Sequence, residues 1–79
     1  MPKKLPLHEA IRAARGDMST RALADAMGIG QAGVSRRENG HGDVPIWALV
    51  DIATATGTRF VITVDAAGAS AVVEPAKKK

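Results

Sequence analysis

Gln31 and Ser35 stand four residues apart, with Ala32 and Gly33 following Gln31 and Arg36 alongside Ser35. On a helix that interval puts Gln31 and Ser35 on one face, one turn apart. A glutamine amide matches the N6/N7 edge of adenine bidentately, a contact that discriminates against other bases by ~1–3 kcal/mol. Ala32 and Gly33 have almost no side chain, so the start of such a helix could enter a DNA groove deeply. The Ala32 methyl could touch a thymine methyl, and Arg36 could reach either a guanine or a phosphate. These residues offer recognition of base edges rather than the making or breaking of bonds.

Other chemistries find little support. There is no cysteine, which removes disulfides and thiolate metal sites, and His8 and His41 are isolated, so no metal or cofactor is expected. No Ser/His/Asp or Cys/His arrangement, phosphate loop or paired carboxylates in an apolar setting is present, and Asp25, Asp43 and Asp51 read as helix-surface or capping residues. The expectation is therefore a protein that is not an enzyme. Apolar stretches are far shorter than the ~20 residues a bilayer requires, so no membrane contact and a cytoplasmic location are expected. The 79 residues carry 11 Lys+Arg against 8 Asp+Glu, a formal +3. All the lysines lie at the ends (Lys3, Lys4, Lys77, Lys78 and Lys79), which leaves residues 5–76 with more carboxylates than arginines. Lysine runs of this kind read as solvated ends. Attraction to phosphate should then be local, from Arg21, Arg36, Arg37 and the backbone N–H groups at helix starts.

Those residues need a scaffold, and the chain's patterning supplies one. Leu7, Ala10, Ile11 and Ala14 form an apolar stripe that predicts a first helix from about Pro6 to Arg15, closed by Gly16. Ser19 or Thr20 can cap a second helix over about 20–27, with Leu23, Ala24 and Met27 inward and Gly28 ending it. Ile29 reads as a plug at the corner. A third helix is predicted from Gly30 or Gln31 to about Glu38, with Val34 packing back onto Leu23 and Ala24 and Asn39-Gly40 as the stop. Small Ala24 would let the two helices cross closely, as a helix-turn-helix requires. A fourth helix starts at about Pro45, with Ile46, Leu49, Val50 and Ala53 as its expected buried stripe, Trp47 beside it and Gly57 ending it. Phe60, Ile62 and Val64 then alternate with Val61 and Thr63, a strand apolar on both faces. Asp65 to Gly68 is a plausible turn, and Ala69–Glu74 a weaker second strand.

Residues 18–40 resemble the helix-turn-helix of the lambda-repressor/Cro type, also called the xenobiotic-response-element family, with 24–34 especially similar. The resemblance covers about residues 5–57. It implies a mainly α domain of four to five helices that binds double-stranded DNA, with base reading by Gln31, Ala32, Ser35 and Arg36. It also implies a phosphate contact at Asn39, with Gly40 allowing close approach. Further backbone contacts are expected from Thr20, Arg21, Gly33, Arg37 and His41. The chain departs from the family's usual pattern at three places: Thr20 replaces a glutamine, Gly30 a serine cap, and Arg37 a large apolar residue. The stem of Arg37 could cover the core while its charge reaches solvent.

A strand that is apolar on both faces is poorly tolerated alone in water. Pairing with the same strand of a second copy would satisfy it, with Trp47, Phe60, Val61, Ile62, Thr63 and Val64 at the interface. The other solution is a hairpin folded onto the chain's own helices. The expected organisation is a basic tail over 1–4, a helix-turn-helix domain over 5–57, a strand or hairpin for dimerisation over 58–74, forming an intersubunit sheet, and a basic tail over 75–79. A homodimer would set two recognition helices about one DNA turn apart, roughly 34 Å, on a palindromic operator. The function so implied is a repressor of its own operon. The extra strand also resembles antitoxin repressors, which makes a toxin protein a second possible partner, although the residues after Pro75 are few for wrapping one. A phage or mobile-element regulator of a neighbouring gene fits as well.

Overall fold

The Gly28 turn shows how local sequence builds this chain. In the computed structural model, which describes residues 4–76, Gly28 has φ 72° and ends helix α2 (Thr20–Met27) in the left-handed region that a glycine occupies without strain. Its N–H donates to Asp25 O at 3.2 Å, and the N–H of Ile29 donates to Ala24 O at 3.0 Å, the paired bonds of a Schellman ending. Ser19 starts the helix, its Oγ accepting from the N–H of Ala22 at 3.0 Å. Lys3, Lys77, Lys78 and Lys79, taken from the sequence as solvated ends, lie outside the described residues.

The other helices are α1 (Leu7–Arg15), α3 (Gln31–Glu38) and α4 (Ile46–Thr56). A two-residue strand β1 (Leu5–Pro6) precedes α1, and a hairpin of β2 (Thr58–Asp65) and β3 (Gly68–Pro75) follows α4. The architecture is thus four helices with a C-terminal hairpin in a small sheet, the helical body and β element expected from the sequence. The three strands are antiparallel in the order β1-β3-β2. Of the two solutions for the doubly apolar strand, the chain adopts the hairpin on one edge, with Phe60 opposite Val73 and Ile62 opposite Ala71. The Asp65 carboxylate accepts the Ala67 N–H at 2.8 Å and so shapes the turn. β1 has no counterpart in the sequence reading: Leu5 and Pro6 pair with Ala71 and Ser70, and β3 packs across α1.

The core gathers Ile11 and Ala14 of α1, Leu23 and Ala24 of α2, Val34 of α3, and Leu49 and Ile52 of α4. Met18, Met27, Ile29, Phe60 and Val73 are partly buried against it. Two expectations need correction. Ile29 is half-buried at the corner rather than a fully covered plug. In α4 the buried side is Ala48, Leu49 and Ile52, while Ile46 is 70% exposed and Val50 is also exposed. An apolar helix carries more than one stripe of helical spacing, and periodicity alone does not choose between them. Leu49 and Ile52 face the core shared with α1 and α2, and Ala48 is fully buried beside them. Phe60, assigned from the sequence to an interface, packs partly against the chain's own core.

Candidate nucleic-acid interface

α3 turns Gln31, Ala32 and Arg36 to solvent, with Ser35 half-buried beside them. Val34 and Glu38 are its buried residues and fix its rotation about its own axis. Gln31 does not hang free. Its Nε2 donates to Thr20 Oγ1 at 2.8 Å, across the turn from α3 to α2. Thr20, which stands where the family it resembles usually has a glutamine, therefore holds Gln31 directly. That bond uses one of the two amide N–H donors, so the second N–H and the amide oxygen remain open. Gly30 offers no side-chain cap to α3, so its first turn keeps backbone N–H groups without a capping side chain.

Around the far end of α3 the polar groups are tied into pairs. Glu38, only 4% exposed, accepts from Arg15 Nε at 2.6 Å and Arg15 Nη2 at 3.0 Å, a bidentate pair, with Arg12 Nε at 3.8 Å. Arg15 Nη1 also donates to Met18 O at 2.7 Å. The Arg15 pKa is raised above its usual value chiefly by the hydrogen bonds to Glu38, with burial opposing and charge attraction adding. This clamp joins α1 to the end of α3 and was not anticipated. The available signal was Glu38 itself: it lies four residues after Val34 on the buried stripe, and a carboxylate there needs a cation.

Arg12 Nη2 donates to Asn39 Oδ1 at 3.0 Å, which leaves the Asn39 amide N–H groups as its donors to solvent. Gly40 is left-handed, and any side chain there would meet the His8 ring at 3.6 Å. His8, on α1, is half-buried at this contact. His41 is exposed, and its backbone N–H donates to Arg36 O at 2.8 Å. Arg37 is half-buried: Nε donates to Asp43 O at 3.2 Å, Nη1 approaches Gly33 O at 3.4 Å, and the guanidinium lies 5.6 Å from the Trp47 ring centre. Its stem thus runs along α3 and its charge sits over an aromatic face. Where a Gly33 Cβ would stand, Arg37 Nη1 and Ile29 Cδ1 lie at 3.5 Å, an ordinary contact. Arg21 and Arg36 are exposed and form no hydrogen bond or ion pair with the described residues' side chains. Arg36 borders a hollow of about 280 Å³ that Gly33, Arg37, Gly42, Asp43 and Pro45 complete.

The α2–α3 unit and the loop after it therefore carry a supported glutamine, two side-chain-poor positions, two exposed arginines without a side-chain partner among the described residues, and an asparagine oriented by a neighbour. The residues expected at an interface between copies lie elsewhere, on α4 and β2: Trp47, Val61, Ile62 and Val64 are exposed, and Thr63 is half-buried. No helix of the described residues is long and apolar enough to cross a membrane. A family model described as helix-turn-helix matches residues 9–62, well over half of the chain. No curated protein and no solved structure matches it.

Proposed function

The chain belongs to the lambda-repressor-like helix-turn-helix family, whose domains bind DNA, and from that membership we propose a sequence-specific regulator that represses its own operon as a homodimer on a palindromic operator. The observation that carries this reading is Gln31, exposed at the start of α3 and held by Thr20 at 2.8 Å. A supported side chain loses less rotamer freedom on binding, so more of its contact energy serves discrimination. Gln31 and Arg36 read base edges, with Ala32 and Ser35 completing the face. Arg21, Asn39 and His41 hold phosphates, joined by Thr20, Gly33 and the Arg37 end of α3. Repression is steric: the bound dimer covers the promoter.

Selection from randomised duplex DNA, followed by titration of the selected site, tests the reading. Wild-type protein should enrich a two-fold symmetric site, and its affinity should fall steeply with salt as phosphate counterions are released. Gln31→Ala and Arg36→Ala should each weaken that site by about 1–3 kcal/mol and relax preference at one base position. Unchanged affinity and preference in both variants would overturn the assigned reading surface. The exposed apolar residues of α4 and β2 favour one further role, an antitoxin that also neutralises a toxin protein. A stable complex recovered with the product of an adjacent gene would support it.

A further inference from the structure

The exposed large apolar side chains among the described residues all lie on two neighbouring elements: Ile46, Trp47 and Val50 on α4, and Val61, Ile62 and Val64 on β2. β2 is also an outer strand of the sheet, so one of its edges is unpaired within the chain. Its 8 residues make a long edge for a strand that bears little charge.

The hairpin register says which backbone groups that edge offers. Asp65 faces Gly68 across the turn, and beyond the other end the Ala76 N–H donates to Gly57 O at 3.0 Å. Antiparallel pairing alternates, so the odd-numbered residues of β2 turn their N–H and C=O to β3. Thr58, Phe60, Ile62 and Val64 turn theirs to the open edge.

We propose that this edge pairs antiparallel with the same edge of a second copy, about a two-fold axis normal to the sheet that passes through Ile62. The proposal deepens the homodimer reading above and rests on it. Arg59 and Asp65 are the charged residues of β2, and they lie equally far to either side of Ile62. The axis therefore sets Arg59 opposite the partner's Asp65, and the same pair recurs on the other side. It sets Phe60 opposite the partner's Val64 and Val61 opposite the partner's Thr63. Moving the axis by one residue in either direction loses both charge pairs. Arg59 already pairs with Glu74 across the hairpin, so the partner's carboxylate gives it a second anion on its other side.

Apolar surface favours the same geometry. A two-fold axis normal to the sheet keeps both α4 helices on one side of the joined sheet. Between α4 and β2 lies an open groove of about 310 Å³, lined by Ile46, Val50, Ala53, Phe60 and Ile62 among others. The partner's Val64, opposite Phe60, enters this groove from the open edge and removes its own side chain from water.

Single-cysteine variants test the register, because the chain has no cysteine of its own. At a hydrogen-bonded pair the two copies of one residue stand about 5.5 Å apart at Cα, within disulfide reach. Copies of Val64 would stand on the order of 14 Å apart, four residues along the strand. Mild oxidation of Val61→Cys, Ile62→Cys, Thr63→Cys and Val64→Cys should give the most covalent dimer at position 62, roughly tenfold more than at 64. A maximum at another position overturns the axis.

Sedimentation supplies the second arm. Arg59→Asp and Asp65→Arg each set like charges opposite one another twice, and each should weaken self-association about tenfold. Mixing the two variants sets opposite charges together at both places and should restore the dimer. Circular dichroism of each variant checks that the hairpin is retained. A mixture no stronger than its parts overturns the proposal, and so does a wild-type chain that stays monomeric at its highest soluble concentration. So does a complex with a different protein that blocks the Ile62→Cys cross-link. A monomer that still selects a half-site would overturn this interface and leave the DNA reading standing. A dimer cross-linked through position 62 that selects no DNA sequence would overturn the DNA reading alone.

Discussion

The α2–α3 surface and the α4–β2 surface are built on opposite plans. On the first, several polar side chains have a partner within the chain: Gln31 with Thr20, Asn39 with Arg12, Arg37 with Asp43 and Gly33, and Glu38 with Arg15. Arg21 and Arg36 are its arginines without such a partner among the described residues, and both are exposed. On the second, apolar side chains stay in water, with Ile46 at 70% and Val64 at 75% exposure. A contiguous exposed apolar patch on a small soluble domain marks a contact surface. The contrast teaches a division of tasks. Hydrogen bonds inside the chain hold the groups proposed to face DNA, whereas the α4–β2 side keeps apolar side chains exposed for the proposed second copy.

Four substitutions test that division, beginning with the largest effect. Arg15→Met leaves the buried Glu38 carboxylate with only Arg12 at 3.8 Å, and unfolding in urea followed by circular dichroism should show a loss of about 3 kcal/mol. A loss below about 1 kcal/mol would mean that the clamp does not hold the α1–α3 joint. Gly28→Ala meets no atom within 4 Å, so its cost is the left-handed conformation alone, about 1–2 kcal/mol. The same unfolding measurement checks it, and the selected DNA sequence should not change. Thr20→Val removes the support of Gln31 while keeping its shape, and operator affinity should fall about fivefold, near 1 kcal/mol. Stability should hardly move, and an unchanged affinity would break the link between the internal hydrogen bond and reading. Val50→Gln should change the stability of the dilute monomer by less than about 0.5 kcal/mol. A loss of 2 kcal/mol or so would place Val50 in the core and erase the contrast between the surfaces.

How much of this was legible in the sequence depended on how local the determinant was. The α2–turn–α3 unit was readable because Ser19, Gly28 and Asn39-Gly40 each act within a few residues of themselves. The hairpin was readable as one of two outcomes, because the pattern of β2 demands a partner strand without naming it. The rotation of α4 was not, since two apolar stripes competed and the choice came from packing of Leu49 and Ile52 against α1 and α2. β1 escaped for a similar reason: Leu5 and Pro6 are a strand only because β3 arrives beside them from the far end of the chain. At the candidate site, the type and place of Gln31 were legible, but its hold by Thr20 depends on how α2 and α3 cross. The bidentate Arg15–Glu38 pair joins residues far apart in sequence, and no spacing rule connects them.

Trp47 lies at the seam of the two surfaces, at the start of α4 and under the Arg37 guanidinium at 5.6 Å. It is the one tryptophan, and the chain has no tyrosine. Ultraviolet emission from this protein is therefore the emission of a single indole, read without any label. Trp47 is 52% exposed, so its colour starts toward the red, and closure of the α4 face should move it blue. A charge approaching Arg37 from the α3 side would instead change its brightness through the cation above the ring. One native chromophore can thus follow both encounters in the same cuvette and keep them apart as a shift in wavelength and a change in yield.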